Sequence, residues 1–359
     1  MRIHAIHLLN DFSGSPKVLS QLVKGWGQAG MDVELVINRH SEGFLSGLSA
    51  CRYRYHPYRF FENKALRLLM LLWSQMVLAW QLFFRLRPGD VVYINTVLPF
   101  GAAVAGRLRG CRVIWHVHET SMKPLLLKRF LFGMARRTAS EAVYVSNFLA
   151  NQEDLGCPRH VLYNALPADF AAEAAPISTE NHRNVLMICS LKAYKGVDEF
   201  VELARRHAPY RFRLVVNASG HEIARYFEHQ NLPDNVEVFP VQKDVRPFYT
   251  WADVVLNLSR PDQWVETFGL TAIEAMAFGL PLIVPPVGGI AELVDEGLNG
   301  FKRDVCRLDE VSDALKTILE NEHLYTSMCT IARERAAQYS EAAFWEVGKA
   351  IVTGKMMPL

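Results

Sequence analysis

The chain has 359 residues, 39 basic and 37 acidic side chains, and an apolar share of 50%, ordinary globular usage that excludes a disordered or fibrous protein. A length of this order exceeds what one hydrophobic core serves, so two domains with a ligand-binding cleft between them are expected. The net charge of +2 conceals an asymmetry: residues 1–170 hold 20 basic against 11 acidic side chains, and residues 171–359 hold 19 against 26. The basic half predicts an anionic surface as partner.

The N-terminus, Met1–Asn10, runs into a strand-like segment and lacks the zones of a secretion signal. The six cysteines are scattered, with no C-x-x-C pair, which reads as reduced thiols of a cytoplasmic protein. Short apolar runs at Ile3–Leu9, Val33–Ile37, Val91–Ile94, Arg112–Val117 and Ala142–Val145 alternate with helical patterns. The alternation resumes with Val185–Ile188, Phe212–Val216, Val236–Phe239, Val254–Leu258 and Leu282–Val284. Strands separated by helices at this spacing predict an α/β fold of doubly wound parallel sheets. The pattern breaks at Pro167–Asn184, so the domains are expected at 1–168 and 169–340, with a last helix over 341–359.

Along the first half, Phe12-Ser13-Gly14-Ser15-Pro16 forms a glycine turn that leads to a helix near Lys17. Leu68–Phe84 is the most apolar stretch, marginal in length as a bilayer crossing. It reads either as a helix buried against a sheet or as one lying on a membrane. Met122–Arg137 mixes leucines and phenylalanines with Lys123, Lys128, Arg129, Arg136 and Arg137, and reads as contacting an anionic membrane face. No basic recognition helix or interleaved aromatic platform is present, so nucleic acid is not expected as a partner. His116 and His118 alternate after a strand without a nearby third ligand, so no metal is expected there.

In the second half, Lys192 and Lys195 follow the strand Val185–Ile188 and, taken alone, read as solvated charges. The segment from Glu266 to Pro281 predicts a helix over 268–278, capped by Thr267 and ended by Gly279 and Pro281. Its N-terminal amides at Phe268-Gly269-Leu270 suit a diphosphate. Glu274 lies about 9 Å along that helix and among apolar residues, where ribose hydroxyls are natural donors to it. Pro285–Val294 predicts another glycine turn and helix start.

From Ser259 through Phe301 the sequence resembles glycosyltransferase family 4. It carries E-x7-E in Glu266–Glu274, Glu-Ala-Met-Ala-x-Gly-x-Pro, Gly288-Gly289-x-x-Glu292 and Gly297-x-Asn299-Gly300-Phe301. The resemblance implies the GT-B fold, with two Rossmann-like domains facing a cleft, and retaining, metal-independent sugar transfer from a nucleotide diphosphate-sugar without a cofactor. It implies Glu266 at the donor sugar and Glu274 at the ribose. Lys195-Gly196 corresponds to the family's phosphate-binding pair, and Gly14-Ser15 to its glycine loop. The family's Gly-Arg-Leu is replaced by Ser190-Leu191-Lys192, leaving Lys192 to supply the second charge. His118-Glu119 is similar to the family's His-Asp and places His118 near donor sugar and acceptor. Joined to the basic amphipathic segments, this predicts a lipid-linked glycan acceptor at the inner face of the cytoplasmic membrane, as in bacterial surface-polysaccharide or lipopolysaccharide synthesis. The rival readings are an epimerase or phosphorylase of the same fold, or a non-catalytic nucleotide-sugar binder.

Overall fold

A computed structural model describes residues 1–39, 42–170, 174 and 182–355. Most of the predicted linker, including residues 178–181, lies outside the described residues. The chain divides into two units, Met1–Asn164 with Glu341–Leu359, and Ala165–Ser340.

The first domain runs β1 (Ile3–Ile6), α1 (Gly14–Gln28), β2 (Val33–Asn38), β3 (Arg52–His56), α2 (Lys64–Phe83), β4 (Val91–Asn95), α3 (Phe100–Leu108), β5 (Arg112–Val117), α4 (Leu125–Thr138), β6 (Glu141–Tyr144), α5 (Asn147–Gln152) and β7 (Arg159–Val161). Its seven strands are parallel in the order β3-β2-β1-β4-β5-β6-β7. Every residue of β1, β2 and β4 is buried, because crossover helices cover both faces of a parallel sheet. The order reverses between β1 and β4, and the loops leaving the C-terminal ends of those two strands form the crevice where such sheets bind ligands.

The second domain runs β8 (Asn184–Cys189), α6 (Val197–Arg206), β9 (Arg211–Val216), α7 (Gly220–Tyr226), β10 (Val236–Phe239), α8 (Arg246–Trp251), β11 (Val254–Leu256), α9 (Leu270–Ala277), β12 (Leu282–Val284), β13 (Gly300–Lys302), α10 (Leu308–Glu320) and α11 (Glu322–Ala336). Its strand order is β10-β9-β8-β11-β12-β13, again parallel. The reversal falls between β8 and β11, so the loops that carry Lys195 and Glu266 leave adjacent strands.

The last helix, α12 (Glu341–Thr353), belongs to the first domain and packs on α1. Trp345 Nε1 donates to the Gln21 carbonyl at 2.9 Å and Trp26 Nε1 to the Gly348 carbonyl at 3.2 Å. A Cβ on Gly348 would stand 2.5 Å from Leu22 Cδ2, so glycine there lets the two helices meet.

Local boundaries differ from expectation at three places. Helix α1 starts at Gly14 rather than near Lys17, which makes the glycine turn its first turn. Helix α9 starts at Leu270 rather than at 268, because Gly269 sits at φ 150°, outside the helical region, and takes the cap position expected for Thr267. The expected helix after Gly288-Gly289 is a five-residue 3-10 turn, Gly289–Leu293.

Candidate active site

In the second domain, Lys195 closes a short 3-10 turn after β8, and Gly196 follows in the left-handed region at φ 77°. A side chain on Gly196 would drive its Cβ to 2.2 Å from the Leu258 carbonyl oxygen, so glycine lets the lysine loop lie against the end of β11. That closeness brings Lys195 Nζ into an ion pair with Glu266 Oε1. Ser259 Oγ donates to the same oxygen at 2.7 Å, and Trp264 Nε1 reaches Oε2 at 3.4 Å. Burial pushes the Glu266 carboxyl up, but Lys195, Ser259 and Trp264 outweigh it and hold the group below the usual carboxylate range. Trp264 also stacks on Tyr194, and Lys195 Nζ lies 5.0 Å from the Trp264 ring centroid.

The Gly-Gly pair fixes the backbone of this carboxylate. Gly289 N donates to the Glu266 carbonyl at 2.8 Å. Gly288 adopts φ 100°, and a Cβ there would lie 2.5 Å from the same carbonyl oxygen. Asn299 serves the neighbouring turn: its Oδ1 accepts from Asp295 N at 2.7 Å and its Nδ2 donates to the Leu293 carbonyl at 3.0 Å. Gly288 and Gly289 are thus scaffolding for Glu266, while Asn299 holds the turn that follows them.

Glu274 is buried on α9 and accepts from Tyr249 Oη at 2.9 Å, which excludes a solvated charge. With the helix starting at Leu270, Glu274 lies about 6 Å beyond its first residue rather than about 9 Å. Gly269 and Leu270 stand at the helix start, while Phe268 turns its side chain into the domain beside Tyr339. Lys192 is exposed and lines a cavity of about 270 Å³ with Ser190, Asn217, Glu222 and Arg225. The structure gathers Lys195 with Glu266, and Lys192 stands in the same turn, its carbonyl accepting from Lys195 N at 2.9 Å.

In the first domain, the glycine turn and the histidines converge on a residue that sequence reading passed over. Asn95, at the C-terminal end of β4 and fully buried, donates through Nδ2 to the Ser15 carbonyl at 3.0 Å and lies 3.0 Å from His7 Nδ1. Its Oδ1 is 2.8 Å from His118 Nε2. The Ser15 carbonyl can only accept, so it fixes the Asn95 amide; Oδ1 then faces His118, whose Nε2 must carry the proton. His118 is left with its lone pair on Nδ1. Burial, helped by His116 and His7, holds His118 well below its ordinary pKa, so it is neutral. His116 lies beneath it with ring centroids 4.2 Å apart and Nδ1 2.9 Å from Tyr93 Oη.

Two further groups beside His118 are unusual. Thr96 is the single non-glycine residue with positive φ among those described, at 74°, a costly conformation for a β-branched side chain. The Glu119 carboxyl is pushed up to about 7 by burial, against the lowering effect of hydrogen bonds that include the His118 amide and Thr96. Gly14 and Ser15 open α1 beyond Ser13, whose side chain does not cap the helix. Among the described residues no group of three or more His, Cys, Asp or Glu side chains is arranged to hold a metal.

Residues 171–338 match the glycosyl transferases group 1 family, and residues 12–170 match glycosyltransferase family 4. An uncharacterized glycosyltransferase of Methanocaldococcus jannaschii is 24% identical over 268 residues, 72% of each chain. The N-acetyl-alpha-D-glucosaminyl L-malate synthase of Bacillus anthracis is 29% identical over 160 residues, 44% of this chain and 41% of that enzyme. Among solved structures, Anabaena HepE in complex with UDP-glucose superposes with a TM-score of 0.77 at 17% identity, covering 99% of this chain and 100% of that one. WaaG, a glycosyltransferase involved in lipopolysaccharide biosynthesis, superposes with a TM-score of 0.73 at 15% identity, over 99% and 100% of the two chains. The fold is GT-B, and the chain belongs to the group 1 glycosyltransferases of the family 4 type.

Proposed function

We propose that the protein moves a sugar from a nucleoside diphosphate-sugar to a lipid-linked glycan with retention of anomeric configuration, without a metal or cofactor, at the cytoplasmic face of the membrane. The observation that carries the reading is the Glu266 carboxylate held by Lys195, Ser259 and Trp264 at the crevice of the second sheet. A donor diphosphate at the start of α9 would draw on the α9 amides and on Lys195 for positive charge. Lys192 and the Gly14-Ser15 turn are further candidate phosphate contacts. Glu274 accepts from Tyr249 through Oε2, and its carboxylate has the acceptor capacity to take ribose hydroxyls as well.

Both Glu266 oxygens accept hydrogen bonds, which blunts the carboxylate as a nucleophile and favours transfer in one step over a covalent intermediate. The bond from the anomeric carbon to the phosphate oxygen breaks, and the acceptor oxygen bonds on the same face. The acceptor proton passes to the departing phosphate. His118 is catalytic in this reading: its neutral ring offers the Nδ1 lone pair to a sugar hydroxyl. HepE, described with UDP-glucose, makes that donor the first to test, and WaaG's role in lipopolysaccharide biosynthesis supports surface-glycan acceptors.

The Glu266→Ala variant tests the reading. Transfer should fall by about 100-fold or more, while nucleoside diphosphate affinity stays within about threefold. Unchanged transfer contradicts the role of Glu266, and intact donor binding with no transfer by the native protein leaves only the nucleotide-sugar binder.

A further inference from the structure

The structure resolves the two readings of the long apolar stretch in an unexpected way. Helix α2 is 20 residues long and, by length and composition alone, apolar enough to cross a membrane, yet only 28% of that stretch is buried. One stripe, Leu71, Ser74, Gln75, Leu78 and Leu82, packs inward. Gln75 Oε1 accepts from Gly101 N of α3 at 3.0 Å, and a Cβ on Gly101 would stand 2.1 Å from the Gln75 carbonyl oxygen. This close approach packs the middle of α2 against α3, so α2 is a docked helix of the domain rather than an isolated span.

The opposite face is apolar as well. Leu66, Leu69, Trp73, Met76, Trp80 and Phe84 are each about half exposed or more, with Trp80 at 69%. Trp80 and Phe84 meet edge to face at 4.7 Å. A contiguous apolar strip on a helix about 30 Å long, rimmed by charged residues, is the kind of surface that marks an interaction site rather than scattered exposure. Its surroundings are predominantly basic, with Glu62 at one end and Glu34 3.7 Å from Arg85 as nearby acids. Arg59, Lys64, Arg67, Arg85 and Arg87 flank the strip, and the sequence holds no acid between Glu62 and Asp90.

We infer that the outer face of α2 inserts into the interfacial layer of an anionic bilayer, with the helix axis parallel to the membrane plane. Charge complementarity selects this occupant. Anionic headgroups meet the basic rim while Trp73 and Trp80 take the interfacial depth that indole rings favour. A second copy of this chain would instead set two basic rims against each other. Helices α2, α3 and α4 pack side by side in one layer, and the first turn of α4 adds exposed Leu125 and Leu126. That turn begins seven residues after His118, so the same membrane contact brings lipid next to the loop that leaves the histidine. The inference deepens the lipid-linked acceptor reading and rests on it for its purpose, while its test does not.

The test is flotation of the full chain with vesicles of phosphatidylcholine alone or with phosphatidylglycerol, read beside indole emission. The native protein should float with the anionic vesicles, keep part of that binding at high salt, and show a blue shift that brominated acyl chains quench. A Trp73→Ser/Trp80→Ser/Phe84→Ser variant should lose partitioning by about tenfold or more while its Tm and nucleoside diphosphate binding stay close to native. Native-like flotation by the variant would overturn the inference. So would native protein that ignores both vesicles, or a native dimer that the same substitutions dissolve. Flotation without sugar transfer would instead count against the proposed reaction and leave the surface assignment standing.

Discussion

Asn95 shows how much of the chemistry hangs on one uncharged side chain. It joins Ser15, His7 and His118, residues far apart in sequence, and a lone asparagine ending an apolar strand carries no pattern that would reveal this. Replacing it by aspartate puts a carboxylate beside His118 Nε2 and favours the imidazolium. In Asn95→Asp the His118 ring should titrate at higher pH by NMR, and kcat should fall on the acid side with donor KM little changed. An unshifted His118 titration would remove Asn95 from the positioning role. Glu119 makes an independent claim. Its folded-state carboxyl titrates at about 7, against 4.5 in a solvated chain, so the fold binds a proton that the unfolded chain has released. That contribution to stability is complete below pH 4.5 and is lost as pH rises through about 7. Denaturant titrations should show Glu119→Gln flattening the decline over this window; an identical slope in both proteins would place the carboxylate in water.

At the level of elements, legibility followed burial. The strands β1, β2, β4 and β5 were readable because parallel sheets covered on both faces demand unbroken apolar runs. Strand β3, Arg52-Tyr-Arg-Tyr-His, lies at the sheet edge and is largely solvent-accessible, so its polar sequence gave no such run. The three-residue strands β7 and β13 are only partly buried and lack the apolar run that marks the equally short β11 and β12. The character of α2 was hidden for the opposite reason: apolar residues on both faces erase the periodicity that separates core from surface. The glycine motif was legible as a signature, but its physical task emerged from geometry. Gly288 permits both its own positive φ and the close approach of the Glu266 carbonyl. Gly288→Ala should therefore cost about 1–3 kcal/mol in stability and lower kcat by displacing Glu266. Native Tm with native activity would show the turn to be tolerant.

Across the whole molecule, the two halves divide the labour that the sequence motifs suggested. The second domain gathers the Glu266 carboxylate and Lys195 into one ion-paired cluster, whereas the first holds buried histidines, Glu119 and the exposed apolar face of α2. The charge asymmetry between the halves has its counterpart in that division. Lys192 shares a hydrogen-bonded turn with Lys195 and lines a cavity beside the ends of β8 and β9. The central claim is sugar transfer with retention, and the anomeric coupling of the first-formed product measures it most directly. Purified protein given UDP-glucose and a lipid-linked glycan in the presence of EDTA should yield a product whose anomeric proton shows the small coupling of the α-configured donor. A β-configured product, or free glucose as the sole product, would contradict the account.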